Sequence, residues 1–143
     1  MTASPKSDCE ALLESAATFA EQLLAKYGEF YPFGYAMKNS GEIVSIAAYD
    51  GNERPPSADL IEMLKHAFRE RARTGEYRAT ALTYDVRIAS PDAAETSDAI
   101  AVALDHHDNY SVVVVMPYRL DEGDPVLGEA FAQRGAADIF QQH

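Results

Sequence analysis

Tyr110-Ser111-Val112-Val113-Val114-Val115-Met116-Pro117-Tyr118 is the stretch on which the fold of this chain turns. Four consecutive valines carry no alternation of apolar and polar residues. A strand that is apolar on both faces needs cover above and below, so the segment reads as the central strand of a sheet between layers. Asp108-Asn109 just before it is a turn signal, and the segment Asp98 to Asp105 is a strand with Ile100, Val102 and Leu104 on one side and alanines on the other. Ala89 to Ser97 has no period. Before it, Tyr77 to Ile88 alternates, with Thr80, Leu82, Tyr84, Val86 and Ile88 on one face and Ala79, Ala81, Thr83, Asp85 and Arg87 on the other.

Towards the N-terminus, Ser57 offers an N-cap after Asp50-Gly51-Asn52 and Pro55-Pro56, and Leu60, Ile61, Leu64, Ala67 and Phe68 form a helical stripe that should stop at Gly75. Phe33, Tyr35 and Met37, the Asn39-Ser40-Gly41 cluster, and Ile43 to Tyr49 predict a β-hairpin. A first helix is predicted from the capping box of Ser7 and Glu10. Its stripe is Cys9, Leu12, Leu13, Ala16, Phe19, Ala20, Leu23, Leu24 and Tyr27, with Gly28 as its C-terminal cap and Pro32 preventing its resumption. After the valine strand, Asp121-Glu122-Gly123-Asp124-Pro125 reads as a loop. Leu127, Ala130, Phe131 and Arg134 then recur at helical spacing up to Gly135, and Ile139 and Phe140 pack the tail.

The expected order is therefore αββαβββα in one globular domain spanning residues 1–143, with an ordered core over 7–140. The class is α/β in the α+β sense. Strands three to five form a meander, strands one and two a hairpin, and the valine strand joins them. The sheet is then five-stranded and mostly antiparallel, in the order 2-1-5-4-3, with helices on both faces. This layout resembles the Roadblock family of dimerising adaptor domains, and more loosely the profilin-like folds, over Ser7 to Phe140 and in topology only. Phe30-Tyr31-Pro32-Phe33-Gly34, Pro117-Tyr118 and Ile139-Phe140 are also similar to small uncharacterised bacterial proteins. Neither resemblance transfers a functional residue.

Twelve Lys and Arg stand against 23 Asp and Glu among 143 residues, a formal charge of −11. That field repels phosphate backbones and anionic lipid, so nucleic acid and membrane surfaces are excluded as partners, and a basic protein is favoured. Cys9, the single cysteine, has no partner for an internal disulfide, and neither a signal peptide nor a run of about 20 apolar residues occurs. A cytoplasmic location is expected.

No phosphate-binding loop, nucleophile elbow or dinucleotide fingerprint is present, so no catalytic residue is assigned and no cofactor is expected. Asp105-His106-His107-Asp108 holds metal-ligand types, with Asp105, His106 and His107 the candidates. Adjacent residues of a strand point to opposite faces, which argues for a solvated hairpin end instead. Asp85 and Asp105 are candidate paired carboxylates if the meander makes them cross-strand neighbours, although Asp85 can equally pair with an arginine. Cys9 lies on the apolar stripe of the first helix and reads as a small core residue. Phe30, Tyr31, Phe33 and Tyr35, with Tyr118, have the amphipathic character of interfaces and pockets, and Tyr31 should approach Tyr118 if their strands are neighbours. Lys65, Arg69, Arg71, Arg73 and Arg78 concentrate five cations on and after the second helix.

The function expected from these features is a non-enzymatic protein-interaction module. An adaptor, a regulator or an immunity-type inhibitor fits, using an acidic, tyrosine-bearing surface against another protein, a basic one included, or forming a homodimer. The binding candidates are Tyr31, Phe33, Tyr35, Asp85, His106 and Tyr118. The alternative is a small-molecule or hydrolytic site assembled from Tyr31, Asp85, His106 and Tyr118.

Overall fold

The computed structural model describes residues 4–47, 56–89 and 96–140. Tyr49, the Asp50-Gly51-Asn52 turn, Pro55 and the middle of the Ala89–Ser97 segment lie outside the described residues. The elements are α1 (Pro5–Tyr27), β1 (Phe33–Lys38), β2 (Ile43–Ile46), α2 (Ser57–Arg73), β3 (Tyr77–Ala89), β4 (Thr96–His106), β5 (Tyr110–Asp121), β6 (Asp124–Leu127) and β7 (Phe131–Arg134). The fold is α+β: two helices and an antiparallel sheet of seven strands.

α1 begins earlier than its periodicity alone indicates. Ser4, not Ser7, is the N-cap; its side chain accepts the Ser7 N–H while the Ser7 hydroxyl accepts from the Ser4 backbone. Pro5 occupies the first helical position, where its missing N–H costs nothing. Gly28 ends the helix in the left-handed conformation, φ 75°, and its N–H donates to the Leu24 carbonyl. α2 starts at Ser57 without a side-chain cap, behind Pro56.

The strand order is β2-β1-β3-β4-β5-β6, with β7 also paired to β5. The 2-1-5-4-3 order is therefore corrected: β1 pairs with β3, Tyr35 opposite Ala81, and never meets β5. The Roadblock-like layout fails at that same step. The valine strand lies between β4 and the short edge strands, and Val112, Val113 and Val114 are only partly buried. The middle of the sheet belongs to β3 and β4, where Ala79, Ala81, Ala99 and Ala101 are buried. Small side chains let helices approach closely from both sides, so alanine content, not valine content, marks the covered strands here.

α1 packs on the face formed by Ala79, Ala81, Ile100, Val102, Leu104 and Met116, and α2 on the face with Ala36, Leu82 and Tyr77. Gly34 is required beneath α2: a Cβ there would meet Phe68 Cζ at 2.5 Å. No helix among the described residues is long and apolar enough to cross a membrane.

The third helix does not form. Glu122 and Gly123 take φ 54° and 89°, the two-residue turn that matches strand twist, and fold β6 back on β5 with Asp121 opposite Asp124. Gly128 to Ala130 interrupts the returning edge, after which β7 pairs with Val112 to Val115. The unpaired backbone along the valines outweighs the helical spacing of Leu127, Ala130, Phe131 and Arg134.

Candidate functional site

At the C-terminal end of α1, the Gly28 cap and Pro32 reverse the chain into β1 and gather its aromatic residues. Phe30 and Phe33 are buried, and rings meet at 4.9 Å for Phe19–Phe33, 5.7 Å for Phe30–Phe33 and 6.0 Å for Phe33–Tyr35. Offset and edge-on pairs of this kind fix ring positions as well as bury area. Around them opens a groove of about 630 Å³ lined by Phe19, Leu23, Tyr27, Glu29, Tyr31 and the two phenylalanines. Tyr27 is 61% exposed and Tyr31 39%, so the groove has two aromatic lips over a phenylalanine floor. A shallower depression continues along α1, sharing Phe19 and reaching Glu14, Tyr35 and Ile43. Three of the binding residues expected from sequence, Tyr31, Phe33 and Tyr35, thus border one continuous surface.

Tyr118 does not join Tyr31 on a neighbouring strand. It belongs to the buried cluster of Phe30 and Phe33, and its hydroxyl lies 3.0 Å from both carboxylate oxygens of Asp85 on β3. Burial raises the Asp85 pKa and the Tyr118 hydrogen bond partly opposes it; burial, then the Asp85 charge, pushes the phenol up. The phenol is a held donor, not a base. Arg87 turns to Asp98 at 3.6 Å, so Asp85 takes a tyrosine instead of the expected arginine.

Asp85 and Asp105 are not cross-strand neighbours: Asp85 stands opposite Ile100, and Asp105 opposite Thr80 and Ser111. Asp105 faces α2, beside a cavity of about 250 Å³ that also touches Lys65, Tyr84, Ser111 and Asp138. Burial raises its pKa, against a hydrogen bond from Ser111 and the Lys65 charge.

His106 ends β4 on the α1 face, six residues and about 20 Å along the strand from the level of Asp85. The four groups of the expected hydrolytic site, Tyr31, Asp85, His106 and Tyr118, therefore do not converge. Instead His106 Nε2 lies 2.8 Å from Oδ2 of buried Asp8, whose Oδ1 accepts from Arg78 Nη2 at 3.2 Å. The Asp108 N–H donates to His106 Nδ1 at 3.1 Å, which leaves the ring proton on Nε2, directed at Asp8. Sequence reasoning missed Asp8; its signal was a carboxylate one position before Cys9, on the buried stripe of α1. Burial pushes the Cys9 thiol up to about 12, with Asp105 and Asp8 adding to it, so Cys9 is an inert core thiol.

His107 does not diverge from His106 as strand alternation requires. It lies past the end of β4, in the turn, and its ring stacks on that of His106 at 4.8 Å.

The five clustered cations each have a carboxylate partner. Lys65 and Arg69 hold Asp138 at 3.1 and 3.3 Å, Arg71 holds Glu76, Arg73 holds Glu70, and Arg78 holds Asp8. Four carboxylates thus engage the five cations, Asp138 serving two of them.

Comparison with protein-family models, with curated proteins and with solved structures found no match to this chain.

Proposed function

We propose that this protein is a non-enzymatic interaction module whose α1 groove receives an apolar or aromatic side chain from a basic polypeptide segment. The observation that carries the reading is the groove itself, an aromatic-lipped trough with exposed Tyr27 and Tyr31. Tyrosines of this kind supply contact area at low entropic cost and rank among the residues that dominate binding energy. The chemistry of the partner follows from charge. Glu29 stands in the groove wall, Glu14 lines its continuation, and the chain carries −11 overall while its clustered cations are already engaged.

Selection of displayed random peptides on the wild-type protein tests this, with counter-selection on Tyr31→Ala and Leu23→Asp variants. The selected peptides should combine Arg or Lys with a bulky apolar residue and weaken as salt rises. They should lose about tenfold or more in affinity on Tyr31→Ala. Acidic selected peptides, or binding indifferent to both variants, overturn the proposal.

A second reading, self-association, is favoured by the opposite edge of the sheet. β6 and β7 have a partner only in β5 among the described residues, and Leu120, Val126, Leu127 and Phe131 are exposed along that edge. An apolar edge with open backbone groups is a template for a second copy of the chain.

A further inference from the structure

We propose that His106, His107 and Asp108, at the β4–β5 turn, bind a divalent transition-metal ion of the zinc type, with Asp8 as the residue that orients His106. One ligand atom from each of the three lies within 4.8 Å of the others. His106 Nδ1 is 3.9 Å and His107 Nδ1 3.6 Å from the Asp108 carboxylate oxygens. Tetrahedral zinc with bonds of about 2.0–2.1 Å needs its ligands roughly 3.3 Å apart, so closure asks the His–Asp108 distances to shorten by about 0.3–0.6 Å and the widest pair by about 1.5 Å, with the His107 ring turning out of its stack on His106.

A second, independent observation concerns His106. It is buried, and its Nε2–H is directed at Asp8, which is itself held by Arg78. A histidine that ligates a metal characteristically donates its other N–H to a carboxylate, which fixes the tautomer and makes the free nitrogen a better ligand. Here that nitrogen is Nδ1, and it faces the turn. Its present partner is the Asp108 backbone N–H, a single donor that an incoming ion displaces.

The other two ligands have room to adjust, since the His107 and Asp108 side chains are 49% and 58% exposed. Two imidazoles and one carboxylate select zinc, nickel or cobalt over magnesium and calcium, which prefer all-oxygen sites. Three protein ligands leave a fourth position to water. Asp105, the third ligand type noted in the sequence, is not part of the set because it faces α2.

The test is calorimetric titration of tag-free full chain at pH 7.5 with zinc chloride, and separately with cobalt chloride while visible absorption is recorded. The wild type should bind one ion and give the absorption of cobalt in a low-coordinate site. His107→Ala and Asp108→Asn should each weaken binding by about tenfold or more with unchanged thermal midpoints in the absence of metal, His66→Ala should leave binding unchanged, and excess magnesium should not compete. Absence of zinc binding by the wild type overturns the proposal. So does zinc binding that survives both His107→Ala and Asp108→Asn, because the ion is then held by other groups.

Discussion

Nε2 of His106 meets Oδ2 of Asp8 at 2.8 Å across a separation of 98 residues, tying the first turn of α1 to the far end of β4. Arg78 completes the junction from β3 and also donates to the Asn39 carbonyl at 3.1 Å. Removing the carboxylate strands two donors, one of them fully enclosed. Asp8→Ala should therefore cost about 3 kcal/mol in urea unfolding, and Asp8→Ala with His106→Ala should cost clearly less than the sum of the two. Additive losses would mean that the two residues act separately.

Gly34 marks the closest approach of α2 to the sheet. The Phe68 ring is fully buried and cannot swing aside from a Cβ placed 2.5 Å from it. Gly34→Ala should cost about 1–3 kcal/mol, as overpacking does. Shortening the opposing side chain should restore part of the loss, so Gly34→Ala should be milder in a Phe68→Leu background than in the wild type. Thermal unfolding of the four proteins reads this directly.

Side-chain spacing along the chain made α1, α2 and β1 to β4 legible, and an unbroken apolar run did the same for β5. Neither carries information about which strands pair, and the β1–β3 register of Phe33 with Thr83 had no local signature. β6 and β7 read as a helix in the sequence because four residues match a helical spacing by coincidence, while the stronger signal, Glu122-Gly123 as a two-residue turn, lies beside them. The aromatic side of the candidate groove was visible in Tyr31, Phe33 and Tyr35. Its other wall, Phe19, Leu23 and Tyr27, has the spacing of helix core, since a sequence does not show where a helix ends relative to the sheet beneath it. The Asp8–His106 contact is long-range, and only the exposure of its two partners to one another in space discloses it.

Asp105 should make the protein less stable as pH rises. Its folded pKa is raised above the ordinary carboxylate value, first by burial and also by the Asp138 charge. Below the unfolded value the carboxyl is neutral in both states and carries no penalty. As pH climbs through the folded value, the unfolded chain has already lost the proton and the buried carboxyl must give it up, so that stability is lost. Asp105→Asn abolishes this contribution. The variant should gain relative to wild type between acid and neutral pH in denaturant titrations at several pH values; a difference that stays constant with pH would show that Asp105 ionises freely.

Self-association through the β6–β7 edge should respond to one residue on it. Phe131 is 45% exposed and stands opposite Val115, at the end of β7 where the edge begins again after Gly128 to Ala130. Phe131→Glu places a charge on that edge, the usual device against edge pairing, and touches neither the α1 groove nor the His106 turn. If the wild type dimerises, sedimentation equilibrium of the variant should show association weakened in favour of monomer by about tenfold or more, with the folded spectrum retained. A wild type that is monomeric at every concentration, or a dimer indifferent to the substitution, excludes this edge as the interface.

Thr83 offers a gain of stability. Its side chain is fully enclosed on the α1 face of β3, with Phe33 and Val102 as its cross-strand partners, and its hydroxyl has no hydrogen-bond partner among the described residues. A buried hydroxyl without a partner forfeits the water it had in the unfolded chain. Valine keeps the branched shape at Cβ, suits a strand, and replaces the hydroxyl with a methyl that contacts the same apolar neighbours. Thr83→Val should therefore raise the unfolding free energy by about 1 kcal/mol, against the usual direction for core substitutions. A loss of stability instead would mean that the hydroxyl is hydrogen-bonded, through an enclosed water, and that β3 carries a polar link to α1 at this position.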